Sequence, residues 1–261
     1  MKDDYIINEA VILAELKNLN ILMPVKYYDC IASTNDKAKE NFNETNEHCL
    51  TVAGRQSNGK GRNGRSFASN FGGAYFTMTF ALNSDNYESQ MFGSILTAGI
   101  AVYRVLRSYG IETLLKWPND VLYGNKKLCG ILSEVVYDGT TPDYMLVGIG
   151  INVNTSKFDG YEDVAISMKQ IKDKDFSVAE IIAKVTRKFF ECITDTQFDC
   201  INEFKEHSCT IGRTVLVKQL HNEYYAVAKD INSKGFLIVQ TPDGLEHTVN
   251  YGDVTVKEVL N

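Results

Sequence analysis

A glycine-rich basic segment lies between two stretches with the composition of β-strands. Residues 49–54 (CLTVAG) and 74–82 (AYFTMTFAL) are rich in apolar, β-branched and aromatic side chains, which is typical of strands. Between them, residues 62–73 (RNGRSFASNFGG) hold three glycines and show no helical period. The order strand, loop, strand argues against the strand–loop–helix units of nucleotide-binding α/β folds.

Two apparent nucleotide-binding motifs do not fit this order of predicted elements. Residues 54–61 (GRQSNGKG) nearly match the P-loop pattern G-x-x-x-x-G-K-[ST]. Gly61, however, replaces the hydroxyl residue that would bind Mg²⁺, and no helix follows. In residues 148–154 (GIGINVN), Val153 stands at the third glycine of a dinucleotide-binding motif, inside a predicted strand. We therefore predict neither of these sites.

The basic loop can still bind an anion. Its glycines permit positive φ angles and close approach of the backbone to a ligand, and they alternate with fixed cations. The residues concerned are Gly59, Lys60, Gly61, Arg62, Gly64 and Arg65. A solvated basic turn without a ligand is the alternative interpretation of such a loop taken alone.

Composition narrows the class of protein. The chain has 261 residues, is 44% hydrophobic and 23% charged, and has a net charge of −6. This balance indicates an ordinary globular protein and argues against general nucleic-acid binding. Six scattered cysteines form no C-x-x-C pair, so no metal site is predicted. Without a signal peptide or an apolar run of about 18 residues, we expect a soluble cytoplasmic protein with no membrane partner.

Periodicity and capping signals predict helices at five places. They are Asn8–Leu19, Ser33 to about Phe42, Ser89–Tyr109, Ser177 to about Cys192, and a further helix to Lys205. Ser33 and Asp36 have the spacing of a capping box. After Ser208 the pattern changes to short strands about ten residues apart, which is typical of small β-barrels. We predict an α+β protein with one domain over residues 1–208 and an all-β domain over residues 209–261.

Two other segments have chemistry suited to an anionic ligand. Pro118 forces Trp117 into an extended conformation, which places Lys116 at the end of a strand within KWPND (116–120). The segment STN (33–35) puts two hydroxyl groups at a helix start. Taken alone, a lysine beside a tryptophan is usually a surface residue, and STN is usually a helix cap.

Five segments, in this order, resemble the motifs of biotin protein ligases. They are STN 33–35, QSNGKGRNGR 56–65, KWPND 116–120, KLCGILSE 127–134 and GIGIN 148–152. The predicted β domain also resembles the SH3-like domain with which members of that family end. The resemblance implies a mixed-sheet catalytic domain, with the fold shared by biotin–lipoate ligases and class II aminoacyl-tRNA synthetases, followed by a small SH3-like β-barrel.

The resemblance also implies an activity. Members of the family use ATP and Mg²⁺ to activate biotin as biotinyl-5′-AMP. They then transfer biotin to a lysine of a biotin carrier domain, usually in a biotin-dependent carboxylase such as acetyl-CoA carboxylase. Because a carboxylate and a polyphosphate are both anions, the first step needs cations held at their junction. The family also implies a homodimer, and a short N-terminal segment matches its form without a DNA-binding domain.

Each site residue follows from the matching motif position. The biotin-binding residues would be Ser33, Thr34, Asn35, Gln56, Lys60, Gly61, Arg62 and Lys116. The ATP-binding residues would be Arg62, Arg65, Phe67, Asn119, Ile151 and Asn152. Arg62 and Lys116 would be catalytic: Arg62 holds the adenylate, and Lys116 neutralises the charge where carboxylate and phosphate meet. Lys127 is a weaker candidate for contact with that anion.

Two positions depart from the common family pattern. Lys60 stands where many members have arginine, so the loop keeps its charge but loses a bidentate fork. Phe67 stands where many members have tryptophan, and it offers a smaller face for stacking on adenine. Three glycines follow the pattern and would permit close backbone approach: Gly130, Gly148 and Gly150.

Two alternative functions remain open. Lipoate–protein ligases share the general catalytic fold, but a pocket for the lipoyl chain should not need all five motifs. A biotin-sensing transcriptional repressor would carry an added DNA-binding domain. The acidic chain argues against DNA binding.

Overall fold

The computed structural model describes residues 7–82, 87–219, 222–250 and 253–256. Its helices are α1 Glu9–Asn18, α2 Thr34–Thr45, α3 Tyr87–Ser108, α4 Met168–Lys172, α5 Val178–Thr194 and α6 Cys200–Glu206. Its strands are β1 Val25–Ile31, β2 Leu50–Gln56, β3 Ala74–Ala81, β4 Leu114–Lys116, β5 Asp120–Tyr123, β6 Lys126–Asp138, β7 Thr141–Ile151, β8 Thr214–Gln219, β9 Asn222–Ile231, β10 Leu237–Gln240, β11 Glu246–Val249 and β12 Asp253–Val256.

The first seven strands form one mixed sheet in the order β1-β2-β3-β7-β6-β5-β4. Only the pair β1 and β2 is parallel among these strands, and the other neighbours are antiparallel. A hairpin forms between β5 and β6, with Gly124 at φ 57° in its turn. Gly110, at φ 68°, follows α3 and ends it. The predicted α+β class with a mixed sheet is confirmed.

The two faces of this sheet differ because side chains alternate along each strand. Phe76 and Met78 of β3 belong to the main apolar core with α3 and α5. Ile149 of β7 lies in the same core. The opposite face carries Thr77 in β3, fully buried, and glycines in β7. The face away from the main core therefore has room and polar groups for a ligand.

The start of α2 differs from the prediction. Ser33 is the N-cap residue, but its side chain makes no capping hydrogen bond. The Asp36 carboxylate lies 2.6 Å from Lys60 Nζ. The predicted capping box is therefore wrong, because Asp36 pairs with a distant lysine instead of closing the helix start. The helix also extends past Phe42 to Thr45.

The last five strands form a separate antiparallel sheet in the order β11-β10-β9-β8-β12, which confirms the predicted small β domain. Trp117 joins the two sheets. Its backbone N–H donates to Thr210 Oγ1 at 3.0 Å, and its indole N–H donates to Gly235 O at 2.9 Å. Phe92 of α3 packs edge to face on Phe236, with ring centroids 4.8 Å apart. The second domain therefore fixes the end of β4, next to the KWPND segment.

In the ranges that the structure describes, no helix is both long enough and apolar enough to cross a membrane.

Candidate active site

The sheet face away from the main core opens into a cavity with about 760 Å³ of empty space, part of which is open to solvent. The start of α2, the basic loop and strands β5, β6 and β7 form its walls. Ten residues predicted from the motifs line it: Ser33, Thr34, Asn35, Gln56, Lys60, Gly61, Arg62, Arg65, Phe67 and Asn119. Lys127, Gly130, Gly148 and Gly150 also line it, so the fold brings all five motifs to one site.

Three glycines make the floor of the cavity. A Cβ atom on Gly148 would lie 2.1 Å from Asn35 Oδ1, and one on Gly150 would lie 2.7 Å from the Phe67 ring. A Cβ on Gly130 would lie 2.8 Å from Lys127 Cε. The glycines therefore make room for three side chains that line the cavity.

One end of the cavity is held by hydrogen bonds of Gln56. Its Oε1 accepts from Thr34 N at 2.7 Å and from Thr34 Oγ1 at 3.1 Å. Its Nε2 donates to Ser69 Oγ at 2.8 Å. The strand β2 ends at Gln56, so the side chain is fixed by the sheet behind it and by α2 in front. This end is polar and rigid.

The basic loop forms a short hairpin over the cavity. Gly61 N–H donates to Arg65 O at 2.7 Å, and Phe67 N–H donates to Gly59 O at 2.8 Å. A Cβ on Gly59 would lie 2.4 Å from Phe67 O, so this position needs glycine for close approach. Gly64 has φ 73°, which favours glycine. Gly61 itself is extended, with φ −118° and ψ 180°, so it does not use the positive φ that glycine permits.

The other end of the cavity contains Lys127. Its Nζ lies 2.6 Å from Asp120 Oδ1 and 5.5 Å from the centre of the Phe67 ring. A β-bulge explains this position, because the register between β5 and β6 shifts after the pair Val121 and Cys129. A bulge inserts one residue and changes the face on which the next side chain projects. Strict alternation would have placed Lys127 on the core face.

Lys116 lies next to this site but is not among the residues that line the cavity. In the strand register, Lys116 of β4 lies directly opposite Asp120 of β5. Directly opposite residues in an antiparallel pair project on the same face, and Asp120 lines the cavity. The Lys116 side chain therefore starts from the correct face, beyond the cavity rim.

Two predicted nucleotide-binding residues lie elsewhere. Asn152 lines a neighbouring cavity of about 500 Å³, which shares Phe67 and Lys127 with the first. Asn152 Nδ2 donates to Lys127 O and Ile166 O, at 3.2 and 3.1 Å. The Ile151 side chain is fully buried in the main apolar core and lines neither cavity.

Two ionisable groups beside the cavity stay neutral. Burial raises the pKa of the Tyr75 phenol and of the Cys129 thiol well above their ordinary values. Neither group therefore ionises near neutral pH, and Cys129 is unsuited to nucleophilic catalysis. The charged residues that line the cavity are Lys60, Arg62, Arg65, Lys127 and Asp120. The arrangement suits stabilisation of anions by fixed charge.

The motif-based interpretation missed three polar residues at the site. The Thr77 hydroxyl oxygen lies 2.9 Å from Thr34 Oγ1 and 2.6 Å from Asn35 Oδ1. Glu134 accepts a hydrogen bond from Asn35 Nδ2 at 2.5 Å. Asp120 pairs with a lysine in the cavity. Asp120 and Glu134 end two of the quoted motifs, and Thr77 interrupts an apolar strand, so each left a signal in the sequence.

Comparison with known protein families agrees with this fold. A profile described as the biotin/lipoate A/B protein ligase family matches residues 27–152. A second, described as the biotin protein ligase C terminal domain, matches residues 210–257. The seven-stranded sheet with its cavity and the smaller sheet thus define a ligase of the biotin and lipoate class.

Individual relatives narrow this class. The bifunctional ligase/repressor BirA of Escherichia coli is 32% identical, over 97% of this chain and 78% of that protein. BirA of Bacillus spizizenii is 30% identical, over 84% of this chain and 70% of that protein. The biotin protein ligase of Aquifex aeolicus, solved with biotin and ATP, has a TM-score of 0.75 and 27% identity, and covers 90% of this chain and 99% of that one. The chain belongs to the biotin protein ligase family.

The ion pair between Asp36 and Lys60 should hold the basic loop against α2. Replacing Asp36 by Asn removes the ion pair that ties the loop to α2. Both side chains are about half exposed, so we expect a change of at most about 1 kcal/mol, or roughly two- to fivefold in loop opening. Tryptic cleavage after Arg62 in the ligand-free protein should become faster by that factor.

The matched control is Glu40→Gln, which removes the pair of Lys37 and Glu40, 2.9 Å apart on the same helix. This variant should be cleaved at the wild-type rate. Equal cleavage rates for Asp36→Asn and the control would show that Asp36 does not hold the loop.

Proposed function

We propose that this protein uses ATP to attach biotin to a lysine of the carrier domain of a biotin-dependent carboxylase. The observation that carries the proposal is the polarity of the main cavity, which has a hydrogen-bonding end at Gln56 and a cationic end at Lys127. Biotin has the same polarity, since its ring is a cyclic urea and its chain ends in a carboxylate. The related Aquifex aeolicus enzyme was solved with biotin and ATP, which supports this pairing.

The hydrogen-bonding groups left unused at Gln56 and Thr34 support binding of the biotin ring at this end of the cavity. Gln56 Oε1 already accepts two hydrogen bonds, whereas Nε2 uses one of its two hydrogens for Ser69. Thr34 Oγ1 donates to Gln56 and keeps at least one lone pair. One donor and one acceptor are therefore left for a ligand. The carbonyl and N–H groups of a urea ring match that set.

The cationic end supports the first chemical step. A carboxylate oxygen of biotin attacks the α-phosphorus of ATP, the bond to the β-phosphate oxygen breaks, and pyrophosphate leaves. Both reactants are anions, so their approach requires fixed positive charge more than acid–base catalysis. We assign Lys127 to the carboxylate, Lys116 to the junction from the cavity rim, and Arg62 to the phosphate.

The second step transfers biotin to the carrier. The neutral amine of the carrier lysine attacks the carbonyl carbon of biotinyl-5′-AMP, an amide forms, and AMP leaves with the electron pair of the broken anhydride bond. Lys60, Gly61 and Arg62 form the wall that would cover the intermediate. Water excluded by this wall cannot hydrolyse the anhydride.

The neighbouring cavity is our proposed nucleotide site. Phe67 lies between the two cavities and offers an aromatic face for adenine. Asn152 lines this cavity, and Asn119 and Arg65 line the first. Ile151 is assigned to the nucleotide only through its backbone, because its side chain is buried in the core.

Mg²⁺ is proposed to arrive with the triphosphate. Among the described residues, no group of three or more His, Cys, Asp or Glu side chains is placed to hold a metal ion. Asp120 is an acidic side chain in the main cavity. Mg²⁺ is often held by one or two carboxylates together with substrate phosphates, and Asp120 fits that role.

Lipoate is the competing substrate. Its dithiolane ring has no N–H or carbonyl group, so the polar groups at Gln56 and Thr34 would lose water without gaining partners. The cavity therefore favours biotin. The BirA relatives are also named as repressors, but the net charge of −6 offers no support for DNA binding here, and we propose the ligase activity alone.

The direct test is label transfer. The protein is incubated with ATP, Mg²⁺, labelled biotin and a purified carrier domain, and the product is digested and analysed by mass spectrometry. We expect one biotinyl group on one carrier lysine and release of AMP and pyrophosphate. A parallel reaction with lipoate should give little product. A folded sample that binds biotin but labels no carrier, or one that prefers lipoate, would contradict the proposal.

The cationic end gives a second prediction. Lys127→Met should slow pyrophosphate release by roughly 10²-fold at saturating substrates, because it removes a charge at the reacting carboxylate. Lys116→Met should slow the same step as well, because it removes the charge assigned to the junction. The control is Lys229→Met, an exposed lysine of β9, which should retain the wild-type rate. Unchanged turnover in Lys127→Met would remove it from the mechanism.

A homodimer is proposed through the free edge of β6. This strand pairs with β7 along most of its length, but β5 covers its other edge only from Lys126 to Gly130. From Leu132 onward, that edge has no strand partner within the described part of the chain. Such an edge can pair with a second copy. Sedimentation over a range of protein concentrations tests the assembly, and a monomer at all of them would contradict it.

The remaining assignments concern domain and location. We place the domain boundary at residues 208 and 209, between α6 and the second sheet. We also propose a cytoplasmic location, because all six cysteines are unpaired thiols, as is usual in a reducing compartment. Fractionation of the source cells tests it.

A further inference from the structure

Thr77 is a buried hydroxyl that the proposed mechanism leaves without a role. It lies in the middle of β3, and it is fully inaccessible to solvent. Its neighbours along the strand, Phe76 and Met78, point into the main core. A buried hydroxyl is costly unless it is hydrogen-bonded, so its partners identify what it holds in place.

The first partner of Thr77 is Asn35. The Asn35 amide is oriented by Glu134, because Nδ2 donates to Glu134 Oε2 at 2.5 Å, and to Leu132 O at 3.4 Å. An ionised carboxylate can only accept, so Asn35 Oδ1 must face the other way. There it lies 2.6 Å from the Thr77 hydroxyl and directly above Gly148.

The second partner of Thr77 is Thr34, whose Oγ1 lies 2.9 Å from the Thr77 hydroxyl. A hydroxyl has one hydrogen, so Thr77 donates to Thr34 or to Asn35 at any moment. Thr34 in turn donates to Gln56 Oε1. Glu134, Asn35, Thr77, Thr34 and Gln56 therefore form one connected network of five side chains, in which Thr77 shares its hydrogen between two acceptors.

We propose that Thr77 is a positioning residue that gives the cavity its preference for a ring with N–H groups. Its hydroxyl fixes the Thr34 hydroxyl so that a lone pair of Thr34 Oγ1 faces the ligand and its hydrogen faces Gln56. Glu134 fixes the Asn35 amide with its oxygen toward Thr77, so Asn35 and Thr34 both present acceptors to the Thr77 hydrogen. This inference rests on the proposed function, since the ligand with ring N–H groups is biotin.

The test compares two threonines of the same strand. Thr77→Val removes the hydroxyl at nearly constant volume. Thr79→Val makes the same change two residues further along the strand, where the side chain is also fully buried but bonds to the backbone of Cys49. Calorimetry then measures the dissociation constants of biotin and of ATP for the wild type and both variants, with melting temperatures alongside.

Thr77→Val should bind biotin roughly tenfold more weakly, because Thr34 Oγ1 is no longer held in the orientation that accepts the ring N–H, and loss of one such hydrogen bond to a ligand changes binding by about that factor. Its dissociation constant for ATP should stay at the wild-type value. Thr79→Val should lose thermal stability but bind both ligands normally. Thr77→Ser, which keeps the hydroxyl, should restore most of the biotin affinity.

Other outcomes would contradict either the role of Thr77 or the proposed function, and they can be told apart. Equal biotin affinity in Thr77→Val and Thr79→Val, or an equal loss of biotin and ATP affinity in Thr77→Val, would overturn the role of Thr77. If Thr77→Val does not fold, Glu134→Gln tests the same network from its half-buried end, and unchanged biotin affinity there would overturn the proposal. Absence of biotin binding by the wild type would instead contradict the proposed function.

Discussion

The alternation of side chains along β3 and β7 is the constraint on which the site depends. Phe76 and Ile149 point into the core that α3 and α5 cover, and they fix both strands in the middle of the sheet. The residues between them are then forced to the opposite face. There the sequence has Thr77, Gly148 and Gly150, so the same strands that build the core also leave a floor low enough for a ligand.

The charge of the site depends on a second local feature, the bulge between β5 and β6. Without the shift after Val121, Lys127 would point toward the apolar core, where an ammonium group is strongly disfavoured. With the shift, it meets Asp120 and lies against Phe67 at the boundary of the two cavities. One inserted residue therefore brings a cation to the end of the cavity that we propose for the carboxylate of biotin.

Much of this arrangement follows from the sequence, because the motifs sit at ends of strands and helices that the sheet brings together. The glycine-rich loop, STN and the glycines of β7 were predicted as one site, and they line one cavity. Local patterns failed where a side chain has a distant partner. Asp36 has the spacing of a helix cap but pairs with Lys60.

The same limit explains the residues that the sequence did not reveal. Thr77 is polar in an apolar strand, but its role depends on Asn35 and Glu134, which come from other elements. The resemblance also ranks Lys116 above Lys127, and the bulge that brings Lys127 to the cavity leaves no sign in the sequence pattern. The apolar core and the order of elements are therefore readable from one chain, whereas hydrogen-bond partners across the sheet require the fold.

The most direct measurement of the central claim is a crystal structure of the protein with biotin alone. The expected result is one biotin molecule in the main cavity, with a ring N–H within hydrogen-bond distance of Thr34 Oγ1 and the carboxylate next to Lys127. The reverse orientation, with the ring at Lys127, would contradict the assignment of the polar and cationic ends. Biotin bound in the neighbouring cavity beside Asn152 would contradict it as well.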